Sequence, residues 1–341
     1  MKLLRKGGMP FLLLPGNSRL RAAALDLYAP QSKAARGMKW GFVFASRLGL
    51  GFALENRTVV FRADDSFRQF LSQVAGTNDP QFAMLAGNPN TKGQRCVFLV
   101  FDAQGKPAVV IKAGAGPDAK RLITQELDFL KQAPRDLPGI PKAQSVFAND
   151  RLSAFAMDFY QGVSPRFNDL SSVHKILNAW AAAERISTVA ELPVWKRLLT
   201  EAASNLSPKA RELGGKTLGT VIQHGDFAPW NIRVRHGEWM VLDWERGEAS
   251  GLPVWDWLHF VIQPAVLVEH LSPRQVLIRL NELFENPLFL NYSDQTRTRG
   301  IITALTSAYL DYCIYVTKQT EGLETISALG RLVEKAPWSH G

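Results

Sequence analysis

The sequence predicts an α+β chain in which a small β-rich lobe is followed by a larger helical one. Three observations point there. Residues 81–161 carry short apolar runs of strand length, separated by turn-forming clusters. From about Ser164 the apolar spacing turns helical. The change falls at Gln161-Gly162, which marks the join. With 341 residues, 46% hydrophobic and 21% charged, the chain is long and apolar enough for a substantial core.

The order of elements follows from local pattern. Helical potential near Leu20 to Tyr28 precedes strand-like runs at Gly41 to Ser46 and Thr58 to Arg62, and Ser66 to Val74 reads as a short amphipathic helix. Gln81 to Leu85 is a strand, followed by the turn-forming cluster Gly87 to Gly93 and the apolar strand Val97 to Phe101. Asp102-Ala-Gln-Gly105 is a hairpin turn that returns the chain through Ala108 to Lys112. A helix from about Pro117 to Ala133, with Asp118 as N-cap, buries Ile123, Leu127 and Leu130 along one face. Strands near Ala143 to Ala148 and Leu152 to Phe159 complete the lobe. Ser171 to Ser187 and Leu192 to Ser204 are helices. Strands at Thr220 to Gln223, Ile232 to Arg235 and Trp239 to Leu242 interrupt them. Helices resume from Pro253, including one from Arg297 to Thr317.

Charge is unevenly placed. Residues 1–50 hold nine basic side chains and one acidic one, Asp26, so +8 of the net +9 lies there. Residues 1–65 therefore read as a basic extension, followed by a lobe over 66–161 and a lobe over 162–341. The extension is either solvated or meets an anionic membrane surface, an acidic protein or a polyanion. Nucleic acid is not the expected partner, because the basic residues do not form a known binding module. The opening resembles a secretion signal in its basic start, but Phe11 to Leu14 is far too short for one. No stretch supplies the roughly 18 apolar residues of a membrane span, so a cytoplasmic location is expected. Cys96 and Cys313 are far apart and are expected to be free buried thiols.

The chemistry concentrates in Val221-Ile-Gln-His224-Gly-Asp226-Phe-Ala-Pro-Trp-Asn231-Ile, followed by Val241-Leu-Asp243-Trp-Glu245. An apolar strand delivers His224-Gly225-Asp226 to a loop, where Gly225 permits an unusual backbone angle. Asn231 offers an amide oxygen and Asp243, at the end of a second apolar strand, a carboxylate. Both are hard ligands suited to Mg²⁺. Asp226 is left to orient or deprotonate an attacking hydroxyl.

His224-Gly-Asp226-Phe-Ala-Pro229-Trp-Asn231 resembles the catalytic loop of the aminoglycoside phosphotransferase and choline kinase family, which has a protein-kinase-like two-lobed fold. Leu242-Asp243-Trp-Glu245 resembles its metal-binding segment. The resemblance spans about residues 80–320. It implies Asp226 as catalytic base, His224 as loop support, Asn231 and Asp243 as Mg²⁺ ligands, and Asp256 of Pro253-Val-Trp-Asp256 as a buttress beneath the loop. It also implies ATP, with Lys112 at the end of the Val109-Val-Ile-Lys strand contacting phosphate and Glu126 positioning Lys112. The Gly87 to Gly93 loop, with Lys92, lies where a phosphate-covering hairpin belongs, though without the strict glycine pattern. Met157 to Tyr160 falls where the interlobe hinge belongs.

The expected activity is γ-phosphoryl transfer from ATP to a hydroxyl of a sugar-like acceptor, or else of an amino alcohol. With 19 acidic and 18 basic residues over 164–341, no acidic excess marks a polycationic acceptor. Trp230, Trp244, Trp255 and Trp257 surround the catalytic segments as core packing or as a stacking surface. The alternative is a kinase-like scaffold without turnover, docking through the basic segment.

Overall fold

The computed structural model describes residues 1–28, 33–47, 54–60, 65–87, 93–336 and 338. The chain divides into two compact units. The first comprises Met1–Gln132 and Ile140–Gly162, and the second Ala133–Gly139 and Val163–Gly341.

The first unit is built on an antiparallel sheet. Among the described residues its strands are β1 (Lys2–Lys6), β2 (Met9–Leu14), β3 (Glu55–Asn56), β4 (Phe82–Ala86), β5 (Arg95–Phe101), β6 (Pro107–Ala115), β7 (Ala143–Ala148) and β8 (Leu152–Asp158), in the order β3-β1-β2-β4-β5-β6-β8-β7. Helices α1 (Ser18–Ala24), α2 (Lys33–Arg47), α3 (Ser66–Ala75) and α4 (Pro117–Gln132) complete it.

The apolar runs read as strands pair as alternation requires, with Val97 opposite Lys112 and Lys112 opposite Phe155. Phe70, Leu71, Phe82, Phe98, Val100 and Ile111 form the core, and Phe67 of α3 packs edge-on against Phe98 and Phe147. The Asp102 turn is closed by its own carboxylate, which accepts the Gln104 and Lys106 N–H groups at 2.9 and 2.8 Å.

The basic amino-terminal segment differs from an appendage. β1 and β2 enter the sheet through Leu12–Leu85 pairing, and Leu12 and Leu14 are buried. Its apolar run, Phe11 to Leu14, lies in β2. Gly41 to Ser46 lies within helix α2 rather than a strand. Val59 and Val60, read as strand, are irregular and exposed, and Arg62 lies outside the described residues. Asp118 sits inside the first turn of α4 rather than capping it, because Pro117 already starts the helix.

The second unit is mainly helical. It contains α5 (Leu170–Trp180), α6 (Pro193–Ala202), α7 (Pro208–Arg211), α8 (Trp255–Leu267), α9 (Pro273–Phe284), α10 (Pro287–Gln295), α11 (Ile302–Asp311) and α12 (Leu323–Val333). Strand β9 (Ala181–Thr188) pairs with β10 (Thr217–Gln223), which also pairs with β13 (Glu248–Gly251); β11 (Ile232–Arg235) and β12 (Glu238–Val241) form a hairpin.

Two expected helices are cut short here. Residues 181–187 extend β10's sheet instead of α5, since cross-strand pairing overrides the helical propensity of the alanine run. Residues 297–317 divide into a 3₁₀ turn, α11 and a π-helical turn at Tyr312–Val316. Trp244, Trp255 and Trp257 are all fully buried in this unit's core. Both cysteines are free, but only Cys313 is fully buried. Among the described residues, no helix is long and apolar enough to cross a membrane.

Candidate active site

In the first unit, β6 carries Lys112 and α4 carries Glu126. Both side chains are buried, and Lys112 Nζ donates to Glu126 Oε1 at 2.5 Å. A buried lysine needs such a partner, because desolvating an ammonium alone is costly. Of the turn that begins at Gly87, residues 88–92 with Lys92 lie outside the described residues. Gly87 donates to Arg95 O at 2.8 Å, and a Cβ there would stand 2.3 Å from the same oxygen. Close backbone approach thus accounts for glycine at 87. Gly93 has a φ of +78° and packs beside the first turn of α4.

In the second unit, β10 ends at Gln223 and delivers His224, Gly225 and Asp226 into a held loop. The Asp256 carboxylate, from the first turn of α8, accepts the N–H groups of His224 and Gly225 at 2.7 and 3.0 Å. Gly225 adopts φ +76°, and a Cβ would stand 2.9 Å from Arg246 O, so both conformation and space require glycine. His224 is fully buried. Its Nδ1 accepts the Asp226 N–H at 3.1 Å, so Nε2 carries the proton and donates to Leu242 O at 2.9 Å. Burial pushes this imidazole down to about 4, keeping it neutral.

Asp226 has a close neighbour at each carboxylate oxygen. Asn231 Nδ2 donates to Oδ2 and to the backbone oxygen, each at 2.9 Å. On the other side His259 Nε2 stands 2.9 Å from Oδ1. Burial alone would raise the Asp226 carboxyl. The His259 bond, with the positive charge of Arg246, outweighs it and holds the group below the usual carboxylate range.

His259 was not marked by the sequence. It lies three residues after Asp256 in α8, one helical turn on and on the same face. Gln263, one turn further, donates to Tyr309 Oη at 3.1 Å. The Tyr309 hydroxyl stands 3.1 Å from His259 Nδ1, on the side of the ring away from Asp226. Gln263 and Gln319 exchange a further pair of amide bonds at 3.1 and 3.2 Å.

The β11–β12 hairpin brings the two expected metal ligands together. Ile232 pairs with Val241, and Leu242 donates to Asn231 O at 2.7 Å, so Asn231 and Asp243 leave the same end of one ladder. With Nδ2 bonded to Asp226, Asn231 keeps Oδ1 as a neutral oxygen donor. Asp243 is held at φ +73°, a backbone state that a non-glycine residue adopts only under local constraint. One carboxylate and one amide oxygen fit the hard, partly hydrated coordination of Mg²⁺. Among the described residues, no cluster of three or more His, Cys, Asp or Glu forms a metal centre of its own.

Asp226 opens onto a cavity of about 190 Å³ within the second unit, whose lining includes Trp230, Arg246, His259, Gln263 and Tyr309. Trp255 reaches it from α8, and the π-helical turn contributes Tyr312 and Cys313. Of the four tryptophans near the catalytic segments, Trp244 packs edge-on against His224 and Trp180, and only Trp230 and Trp255 reach the cavity.

A crystal structure of a thermostable mutant of the aminoglycoside phosphotransferase APH(4)-Ia, in ternary complex with ADP and hygromycin B, matches with a TM-score of 0.50. The match covers 81% of this chain and 100% of that one, at 13% identity. The chain has the kinase-like fold of the aminoglycoside phosphotransferases. A protein from Haemophilus somnus 129PT assigned as a fructosamine-3-kinase is also similar, with a TM-score of 0.49 and 11% identity over 79% of this chain and 96% of that one. No protein-family model and no curated protein sequence matches the chain.

Proposed function

We propose that the chain is an ATP-dependent small-molecule kinase that uses Mg²⁺ and phosphorylates a hydroxyl of a sugar-like acceptor. The observation that carries this reading is Asp226, a carboxylate bonded to Asn231 at one oxygen, 2.9 Å from His259 Nε2 at the other, and facing a cavity lined by polar and aromatic side chains. Asp226 would aim the acceptor hydroxyl at the γ-phosphorus and take its proton as the new O–P bond forms. The bond to the β-phosphate oxygen breaks, and ADP leaves. Mg²⁺ held by Asn231 and Asp243 would supply charge neutralisation at the phosphates. Lys112, set by Glu126, would contribute a further positive charge to the nucleotide.

The acceptor reading follows from the lining. Gln263, Tyr309 and Gln319 line the cavity with hydrogen-bonding groups, and Trp230 adds an aromatic ring, which suits a polyhydroxylated ring. The Asp256 carboxylate is occupied by loop N–H groups, so the cavity has little negative charge to spare for a polycation. An amino alcohol is the next acceptor class.

The test is ADP release across a panel of sugars, sugar alcohols and amino alcohols, with wild type and Asp226→Asn side by side. The reading predicts acceptor-dependent release in wild type that the variant loses. Equal acceptor-dependent release in both would overturn it.

A further inference from the structure

Helix α2 leaves three large apolar side chains facing water. A helix on a globular protein turns its apolar stripe inward and its polar side to water. In α2, Trp40 and Phe44, one turn apart on the same side, are 72% and 66% exposed, and Met38 is 64% exposed. The more buried side carries Phe42 and Val43, both half-buried, together with Ser46, which is buried, and Lys39, tied to Tyr28 O at 3.0 Å and to Asp26 at 3.3 Å. Met9, Val59 and Val60 are exposed as well. Half of the large apolar side chains exposed among the described residues therefore fall in the first 60 positions. Exposed large apolar side chains one turn apart on a helix, as Trp40 and Phe44 are, mark an interaction surface.

The charge of the same region selects the partner. The α2 sequence, Lys-Ala-Ala-Arg-Gly-Met-Lys-Trp-Gly-Phe-Val-Phe-Ala-Ser-Arg, has four basic residues and no acidic one. Arg47 is exposed one turn beyond Phe44. The first 50 residues together carry +8. A second copy of the chain would bring the same positive charge and be repelled. A nucleic acid would meet the charge but offer no apolar phase for Met38 and Phe44. A bilayer with anionic headgroups offers both, and tryptophan favours the boundary between headgroup and acyl chain.

We propose that α2 docks the protein on an anionic lipid surface, with Trp40 and Phe44 entering the interface, the exposed Arg47 meeting the headgroups and the net positive charge of the first 50 positions drawing the chain to them. The helix lies in the plane of the interface and does not span it. Surface docking of this kind would place the enzyme beside acceptors made or consumed at the membrane. It would stand whether or not Asp226 transfers a phosphoryl group.

The experiment is co-sedimentation of the full chain with phosphatidylcholine vesicles, with and without phosphatidylglycerol, at low and high salt. Wild type is compared with Trp40→Ser/Phe44→Ser, and melting temperatures establish that the variant is folded. The expected result is binding to the anionic vesicles alone, weakened by salt, with partitioning lowered more than about ten-fold in the variant. No binding to anionic vesicles, equal binding to neutral ones, or binding unchanged by the double substitution would each overturn it. So would a wild-type dimer in sedimentation equilibrium that the variant loses, since the face would then be covered by a second copy.

Discussion

His259 Nε2 stands 2.9 Å from Asp226 Oδ1, and the Tyr309 hydroxyl stands 3.1 Å from Nδ1 of the same ring. The carboxylate that Asn231 holds from one side is thus held from the other by a residue of α8. His259→Ala should lower turnover by one to two orders of magnitude, in line with the roughly 1.5–3 kcal/mol of a hydrogen bond to a charged group. The Michaelis constant for MgATP should change little. His259→Gln, which keeps an N–H donor, should recover part of the loss. Steady-state kinetics of the two variants check this, and equal turnover in His259→Ala and wild type would remove His259 from the mechanism.

Asp226→Asn preserves shape and an acceptor for Asn231, but removes the proton acceptor. Turnover should fall by about 10²- to 10⁴-fold with the melting temperature and nucleotide affinity retained. A combined kinetic and thermal-shift comparison distinguishes lost chemistry from lost folding.

The buried loop support makes opposing contributions to stability with pH. Burial pushes His224 down to about 4, so the unfolded chain binds a proton that the folded one refuses between there and the usual imidazole range. On that account stability falls as pH drops from about 6.5 to 4. Asp256 is pushed up to about 6 by burial, so between the usual carboxylate range and about 6 the folded chain holds the extra proton. Its contribution falls as pH rises through that window. The two offset each other in wild type. Asp256→Asn removes the second, so its melting temperature should rise more steeply with pH between about 4 and 6 than that of wild type. Parallel curves would contradict the assignment.

Glu126→Ala deprives Lys112 of its carboxylate partner. Breaking a buried pair from one side costs about 3–5 kcal/mol, so the variant should unfold at lower denaturant concentration. Lys112→Met, which replaces the charge with an apolar chain of similar length, should cost less stability but weaken ATP binding. Chemical denaturation and nucleotide titration of both variants separate the two roles.

Much of the site was legible because it is local. His224, Asp226 and Asn231 fall within eight residues, and Asp243 follows an apolar strand, so short spacing encodes their arrangement. Asp256 was legible through the resemblance alone. His259 and Tyr309 were not. Each lies on a helix whose contact with the loop depends on long-range packing, and no local pattern distinguishes them from core residues.

The fold shows the same division. The strands of the central sheet followed from alternation and turn residues. By contrast, Gly41-Phe-Val-Phe reads locally as strand but lies in α2, and Ala181-Ala-Ala-Glu reads as helix but pairs with β10. In the second case the deciding partner is distant in sequence. The basic opening segment was read as an appendage because charge says nothing of strand pairing, which β1 and β2 supply.

The most direct test of the kinase reading needs no acceptor. Thermal stability of the purified chain is measured with ATP, with and without Mg²⁺, for wild type and Asp243→Ala. A ligand that binds the folded state alone raises the melting temperature. The reading predicts a Mg²⁺-dependent rise in wild type that Asp243→Ala largely loses. No rise at millimolar nucleotide would contradict it and would favour a kinase-like scaffold without turnover.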